Sequence, residues 1–146
     1  MEQSIENFIQ KKRIAVVGVS RSPSKFGNRI FNELKQRGYE IYPVHPNLTE
    51  FEGQVCAKDL KELQGKVEGV VVCVSKDRVP DVLQQAAESE IKDVWLQQGA
   101  ESGAALQTAS ELGLNLVTGK CVLMYAEPVG SFHKFHQVIA RVFGQY

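Results

Sequence analysis

Short apolar runs rich in β-branched residues alternate along this chain with segments whose apolar residues fall at helical spacing. Ile14 to Val17 is the first run; Ile30, Phe31 and Leu34 then share one face of a helix that Gly38 is placed to end. Ile41 to Val44 is a second strand, closed by His45, Pro46 and Asn47. Val70 to Val74 is apolar apart from Cys73, as in a central parallel strand covered on both faces. Val79, Val82, Leu83, Ala86 and Ala87 form a helical stripe with Pro80 in its first turn. Val94 to Leu96 is a strand, Ala105, Ala109 and Leu112 make a helix face ended by Gly113, and Leu114 to Val117 is one more strand. The alternation predicts an α/β fold, a doubly wound parallel sheet with right-handed crossovers in the order 3-2-1-4-5-6. Its third strand is assigned to the Gly53 to Cys56 region at a sheet edge, with a short helix through Leu60 and Leu63 behind it. An extra C-terminal helix is expected from Phe132, Phe135, Ile139 and Val142, with Ser131 as its N-cap.

Composition narrows the setting. The chain has 146 residues, 43% of them hydrophobic and 23% charged, and shows no repeat, low-complexity tract or internal boundary, so residues 1–146 are expected to form a single domain. At that length a fold buries roughly two thirds of its unfolded surface and needs no staple. Seventeen basic residues balance 17 acidic ones, which argues against nonspecific binding to nucleic acid or a membrane surface. Three cysteines without metal-ligand spacing, no apolar run near the roughly 20 residues that span a bilayer and no apolar leader in residues 1–12 predict a reduced, cytoplasmic chain.

In an open parallel sheet the ligand crevice lies beyond the carboxyl ends of the strands, where the strand order reverses. The loop that leaves the first strand there runs from Gly18 to Gly27 and contains Ser20, Arg21, Ser22, Ser24 and Lys25 ahead of a helix N-terminus, with Arg29 one step further on. Hydroxyls, cations and glycines before a helix dipole are the groups that cradle phosphate; the alternative is a solvated serine-rich connection. Neither G-x-G-x-x-G nor G-x-x-x-x-G-K-[ST] occurs in the loop, and the second strand ends in Val44-His45-Pro46-Asn47 without an acid for a ribose diol, which counts against NAD.

Four segments in this order, Ala15-Val16-Val17-Gly18-Val19-Ser20, Tyr42-Pro43-Val44-His45-Pro46-Asn47, Val94-Trp95-Leu96-Gln97-Gln98-Gly99-Ala100 and the stretch around Cys121, resemble the stand-alone CoA-binding domain proteins. These are similar to the nucleotide-binding part of the succinyl-CoA synthetase α subunit. The resemblance runs from about Arg13 to about Met124 and implies a three-layer Rossmann-like domain that binds the ADP portion of coenzyme A. It implies that Gly18, Ser20, Ser22 and Lys25 face phosphates, that Pro46 and Asn47 approach the adenosine end and that Val74 and Ser75 form the crevice wall, with Val19 and Asn28 in the same site. His45 stands where the family usually has Asn, and Thr118-Gly119-Lys120 where many relatives have an acid followed by Arg.

No catalytic or metal-binding residue is assigned. Cys121 has only Lys120 beside it to activate a thiol, Cys73 reads as core, and His133 and His136 share a helix face without a third ligand. Nothing fixes the separation of Glu101 and Glu127 as an acid and base, and Trp95 reads as a strand residue packed under a helix. The related synthetases place their phosphorylated histidine and nucleotide-grasping elements in other domains, so ligase activity from this chain alone is not expected. The expected role is a non-catalytic CoA or acyl-CoA sensor, carrier or partner of another enzyme; the alternative is a small NAD(P)- or nucleotide-dependent enzyme. The C-terminal stripe needs a partner, either its own sheet or a second copy in a homodimer. Truncation after Gly130 is expected to lower the melting temperature; an unchanged melt of a soluble product would remove that segment from core and interface alike.

Overall fold

The computed structural model describes residues 2–22 and 25–128. Five strands form one parallel sheet: β1 (Arg13–Val17), β2 (Glu40–Val44), β5 (Gly69–Val72), β6 (Asp93–Gln97) and β7 (Asn115–Lys120), in the order β2-β1-β5-β6-β7. This is the expected doubly wound arrangement on both sides of the switch between β1 and β5. The proposed third edge strand is replaced by an antiparallel hairpin, β3 (Glu50–Phe51) with β4 (Gln54–Val55), outside the main sheet. Glu52 and Gly53 both have positive φ, 51° and 77°, the backbone of a type I′ two-residue turn, so the chain doubles back where a parallel strand had been expected. The region touches the sheet edge through an isolated parallel bridge from Ala57 to Val44 and through Gln54 Nε2, which donates to the Ile41 carbonyl at 2.9 Å.

Period-two alternation divides the strand side chains between two cores. Ala15, Val70 and Val94 lie side by side and, with Val17, Val72 and Leu96, face one layer; Val16, Val71 and Trp95 face the other. The first layer is α3 (Val79–Glu88), α4 (Gly103–Leu112) and a single 3₁₀ turn at Leu60–Leu63, N-capped by the Asp59 carboxylate. Pro80 sits in the first turn of α3, and Gly113 ends α4 with φ +70°. The second layer holds α2 (Phe26–Gln36), followed by Gly38 at φ +95°, and an N-terminal helix, α1 (Glu2–Ile9), that the pattern reading left unassigned. Ile5, Phe8 and Ile9 of α1 are buried, and Phe8 meets Trp95 edge-on with ring centroids 5.4 Å apart. Trp95 is fully buried and donates its indole N–H to the Lys120 carbonyl at 2.9 Å. No helix among the described residues is long and apolar enough to cross a membrane. The expected C-terminal helix, with His133 and His136, lies outside the described residues.

Past β7 the chain forms a 3₁₀ turn at Val122–Met124 and crosses back beneath α2. There Arg37, which follows α2, donates to the carbonyls of Leu123 at 2.9 Å and Ala126 at 2.7 Å. The buried Tyr39 hydroxyl lies 3.1 Å from the Ile9 carbonyl and 3.0 Å from that of Glu127. Burial pushes its pKa up to about 12, with the Arg37 guanidinium opposing and the Glu127 carboxylate adding to the shift.

Arg37→Ala is expected to cost about 2 kcal/mol in urea unfolding at neutral pH, because two carbonyls lose a charged donor. Tyr39 is neutral in both states below its unfolded value of 10.0, so its contribution is intact there and drains away as the pH rises towards about 12. Tyr39→Phe should therefore flatten the alkaline limb of the stability profile; an equally steep limb in the variant would contradict this assignment.

Candidate ligand-binding cleft

The cleft begins where β1 stops. Gly18 has φ +134°, and a Cβ there would fall on the carbonyl oxygen of Cys73, the residue after β5. A Cβ on Gly27, in the first turn of α2, would fall in turn on the Gly18 carbonyl oxygen. Strand exit, neighbouring strand and helix start thus touch backbone to backbone, which only glycine allows at both positions. The Cys73 amide donates to the Val17 carbonyl at 2.8 Å and extends the pairing one step beyond the strands.

The intervening loop is held from inside. Asn28, 6% exposed, accepts the Ser20 amide on Oδ1 at 2.8 Å and donates through Nδ2 to the carbonyls of Ser20 at 2.8 Å and Ser22 at 3.0 Å. Ser20 Oγ accepts the Ser22 amide at 3.1 Å. Lys25, the N-cap residue of α2, makes no side-chain capping bond, so among the described residues no side chain caps the first amides of that helix.

A cleft of about 580 Å³ opens over this loop, within the range of small-ligand sites. The first loop contributes Gly18, Val19, Ser20 and Lys25, and the end of β2 contributes Val44, His45 and Pro46. Cys73, Val74 and Ser75 continue from β5, while Lys58 and the start of α3, with Asp77, Arg78, Asp81 and Gln85, close the far side. Seven residues singled out from the sequence therefore converge here: Gly18, Val19, Ser20, Lys25, Pro46, Val74 and Ser75. Ser22, Asn28 and Asn47 do not line the cleft. Ser22 is exposed on the loop's flank, Asn28 is used within the loop, and Asn47 donates its amide to Nδ1 of His45 at 3.0 Å.

Lys58 and Arg78 supply charge that the sequence did not reveal, and they join His45, which the sequence had marked only as a departure from the family pattern. They lie far apart in the chain, and only the fold brings them to one edge of the sheet. Lys25, Lys58 and Arg78 have no carboxylate within ion-pair distance among the described residues. Arg29 stands outside the cleft, its guanidinium 5.9 Å from the Phe26 ring centroid. Burial lowers the pKa of His45, and the charges of Arg21 and Arg78 lower it further. Cys73, expected in the core, is half-buried in the cleft wall, where burial and then the Cys121 thiol raise its pKa; a high pKa makes it a weak nucleophile. The Glu101 carboxylate accepts the Gly99 amide at 3.2 Å beyond the carboxyl end of β6, whereas Glu127 lies by Tyr39 at the opposite edge of the sheet, so the two form no acid–base pair.

A parallel sheet with a cation-lined cleft at its switch point places this chain among α/β domains that carry ligands at the carboxyl edge. Within that class it belongs to the CoA binding domain family, which matches residues 12–127. It is 32% identical to the uncharacterized protein YneT of Bacillus subtilis over 119 residues, 81% of this chain and 88% of that one. It is 28% identical to the α subunit of the ADP-forming acetate–CoA ligase II of Pyrococcus furiosus, matching 81% of this chain but only 28% of that subunit. Among solved structures, a conserved hypothetical protein from Pyrococcus furiosus superposes with a TM-score of 0.74 at 34% identity, covering 77% of this chain and 97% of that one. The dinucleotide-forming acetyl-coenzyme A synthetase 1 of Ca. Korarchaeum cryptofilum superposes with a TM-score of 0.68 at 25% identity, covering 77% of this chain and 27% of the synthetase.

Gly27→Ala is expected to destabilise the fold by about 1–3 kcal/mol, since the added methyl meets backbone rather than a side chain that can swing away. Asn28→Ala should cost a similar amount by leaving the Ser20 amide and carbonyl without their partners. Chemical unfolding measures both, and native stability in Gly27→Ala would mean that β1 and α2 are not in this contact.

Proposed function

We propose that this protein binds coenzyme A, or an acyl-CoA, through its phosphates and adenosine at the carboxyl edge of the sheet, as a non-catalytic cytoplasmic sensor, carrier or partner of another enzyme. The observation that carries the reading is the convergence of Lys25, Lys58 and Arg78 on one cleft with no carboxylate paired to any of them among the described residues. Coenzyme A brings a diphosphate and a 3′-phosphomonoester, an anionic load suited to several separate cations. The diphosphate lies at Gly18, Val19 and Ser20 and the start of α2, where amides and the helix dipole favour negative charge. Adenosine lies towards Pro46, with Val74 and Ser75 as the wall; Asn47 and Ser22 flank the site without lining it. NAD is disfavoured because β2 ends in His45, Pro46 and Asn47, with no acid for the ribose diol.

The partner role draws support from size. The matched residues correspond to 28% of a ligase α subunit, so the CoA-binding module is one part of such a machine and the remainder of that subunit has no counterpart in the match.

Isothermal titration with CoA, dephospho-CoA, NAD and ADP tests the proposal. Saturable CoA binding is expected, with Lys25→Ala and Arg78→Ala each about tenfold weaker through loss of a charge-assisted contact. A residue whose loss weakens CoA but spares dephospho-CoA meets the 3′-phosphate, and one that weakens both equally meets the diphosphate. Saturable NAD binding with none of CoA would overturn the proposal.

A further inference from the structure

His45 lines the cleft and is held both at its backbone and at its ring. Its backbone amide donates to the Ala57 carbonyl at 2.9 Å, and its Nδ1 accepts the Asn47 amide at 3.0 Å. A ring nitrogen that accepts an amide proton carries none of its own, so the proton of the neutral imidazole is on Nε2. To become a cation the ring would have to place a second proton at Nδ1, directly against the Asn47 N–H, and give up that bond.

The surroundings oppose the cation as well. Arg21 and Lys25 come from the loop after β1, Lys58 from the segment past the Ala57 bridge, and Arg78 from the turn before α3. Cys56 lies beside the His45 backbone amide and is itself neutral, its thiol pKa raised mainly by burial. The carboxylates of the cleft, Asp77 and Asp81, are on the α3 side, and Asp81 Oδ2 accepts from Gln85 Nε2 at 3.1 Å. Burial, Arg21 and Arg78 all hold the imidazole below its ordinary value of 6.5.

We infer that His45 is a specificity-determining residue that serves the cleft as a fixed, neutral hydrogen-bond donor through Nε2, directed at a phosphate oxygen of the ligand. The acceptor is anionic because the cations around the ring select anions, and a donor-only edge rewards an oxygen that carries no proton. The ligand half of this inference rests on the CoA reading; the tautomer half does not.

Nitrogen-15 NMR of the imidazoles in the wild-type protein reads the tautomer without any variant, with the His45 signal identified by its absence in His45→Gln. The expected result is an Nε2–H ring that titrates below 6.5. In CoA titrations His45→Gln, which keeps an N–H donor at a similar reach, should stay within about threefold of wild type, while His45→Leu should bind about tenfold more weakly. Thermal melts of both variants separate a lost contact from a lost fold. An Nδ1–H ring, a midpoint at or above 6.5, or wild-type affinity in a folded His45→Leu overturns the inference while leaving CoA binding in place. A protein with the expected tautomer that takes up no CoA overturns the CoA reading and the donor's assignment to its phosphate together.

Discussion

The carbonyl groups of Cys73 and Gly18 occupy the positions that side chains on Gly18 and Gly27 would need, and the cleft depends on that contact. It draws the end of β1, the end of β5 and the start of α2 together, which sets the course of the chain as it leaves β1 at Gly18. Asn28 then holds residues 20–22 with three hydrogen bonds, which gives that part of the connection a defined surface. A site for a flexible, highly charged ligand gains from such rigidity, because less ordering remains to be done when the ligand arrives.

The sheet beneath it is a platform buried on both sides. Val70 and Val72 point into one layer and Val71 into the other, and all three are fully buried. That demand for apolar residues on both faces confines polar chemistry to the strand ends and the loops beyond them. The two edges of the sheet therefore differ in use. The carboxyl edge gathers cations, while at the amino edge Arg37 and Tyr39 tie the chain after β7 to α2 and α1.

The main strands were legible because burial on both faces writes uninterrupted β-branched runs, and the helix ends were legible because Gly38 and Gly113 adopt the left-handed backbone that glycine favours. The edge hairpin was misread as a strand because Val55 and Cys56 look alike by hydropathy, although Val55 is 84% exposed and Cys56 is buried. The Glu52–Gly53 turn was the available signal, since two residues with positive φ suit a hairpin and not a parallel strand. Helix α1 also left a trace in the i, i+3, i+4 spacing of Ile5, Phe8 and Ile9. The cleft was only half legible. Gly18 to Lys25 form one local segment with a phosphate-suited composition, whereas Lys58 and Arg78 are charged residues in unremarkable contexts whose meaning comes from strand order. His45 acquires its character from a backbone amide two residues on, a matter of geometry rather than of pattern.

Charge, backbone amides and a helix start converge on one cleft in a member of the CoA binding domain family. On the reading proposed above, this cleft receives the phosphates of coenzyme A. A crystal structure of the protein with CoA tests it most directly. The expected result is a diphosphate over the amides from Gly18 to Ser20, with Lys25 and at least one of Lys58 and Arg78 in contact with phosphate oxygens. Well-ordered CoA elsewhere on the molecule, or an empty cleft at saturating CoA, would contradict it.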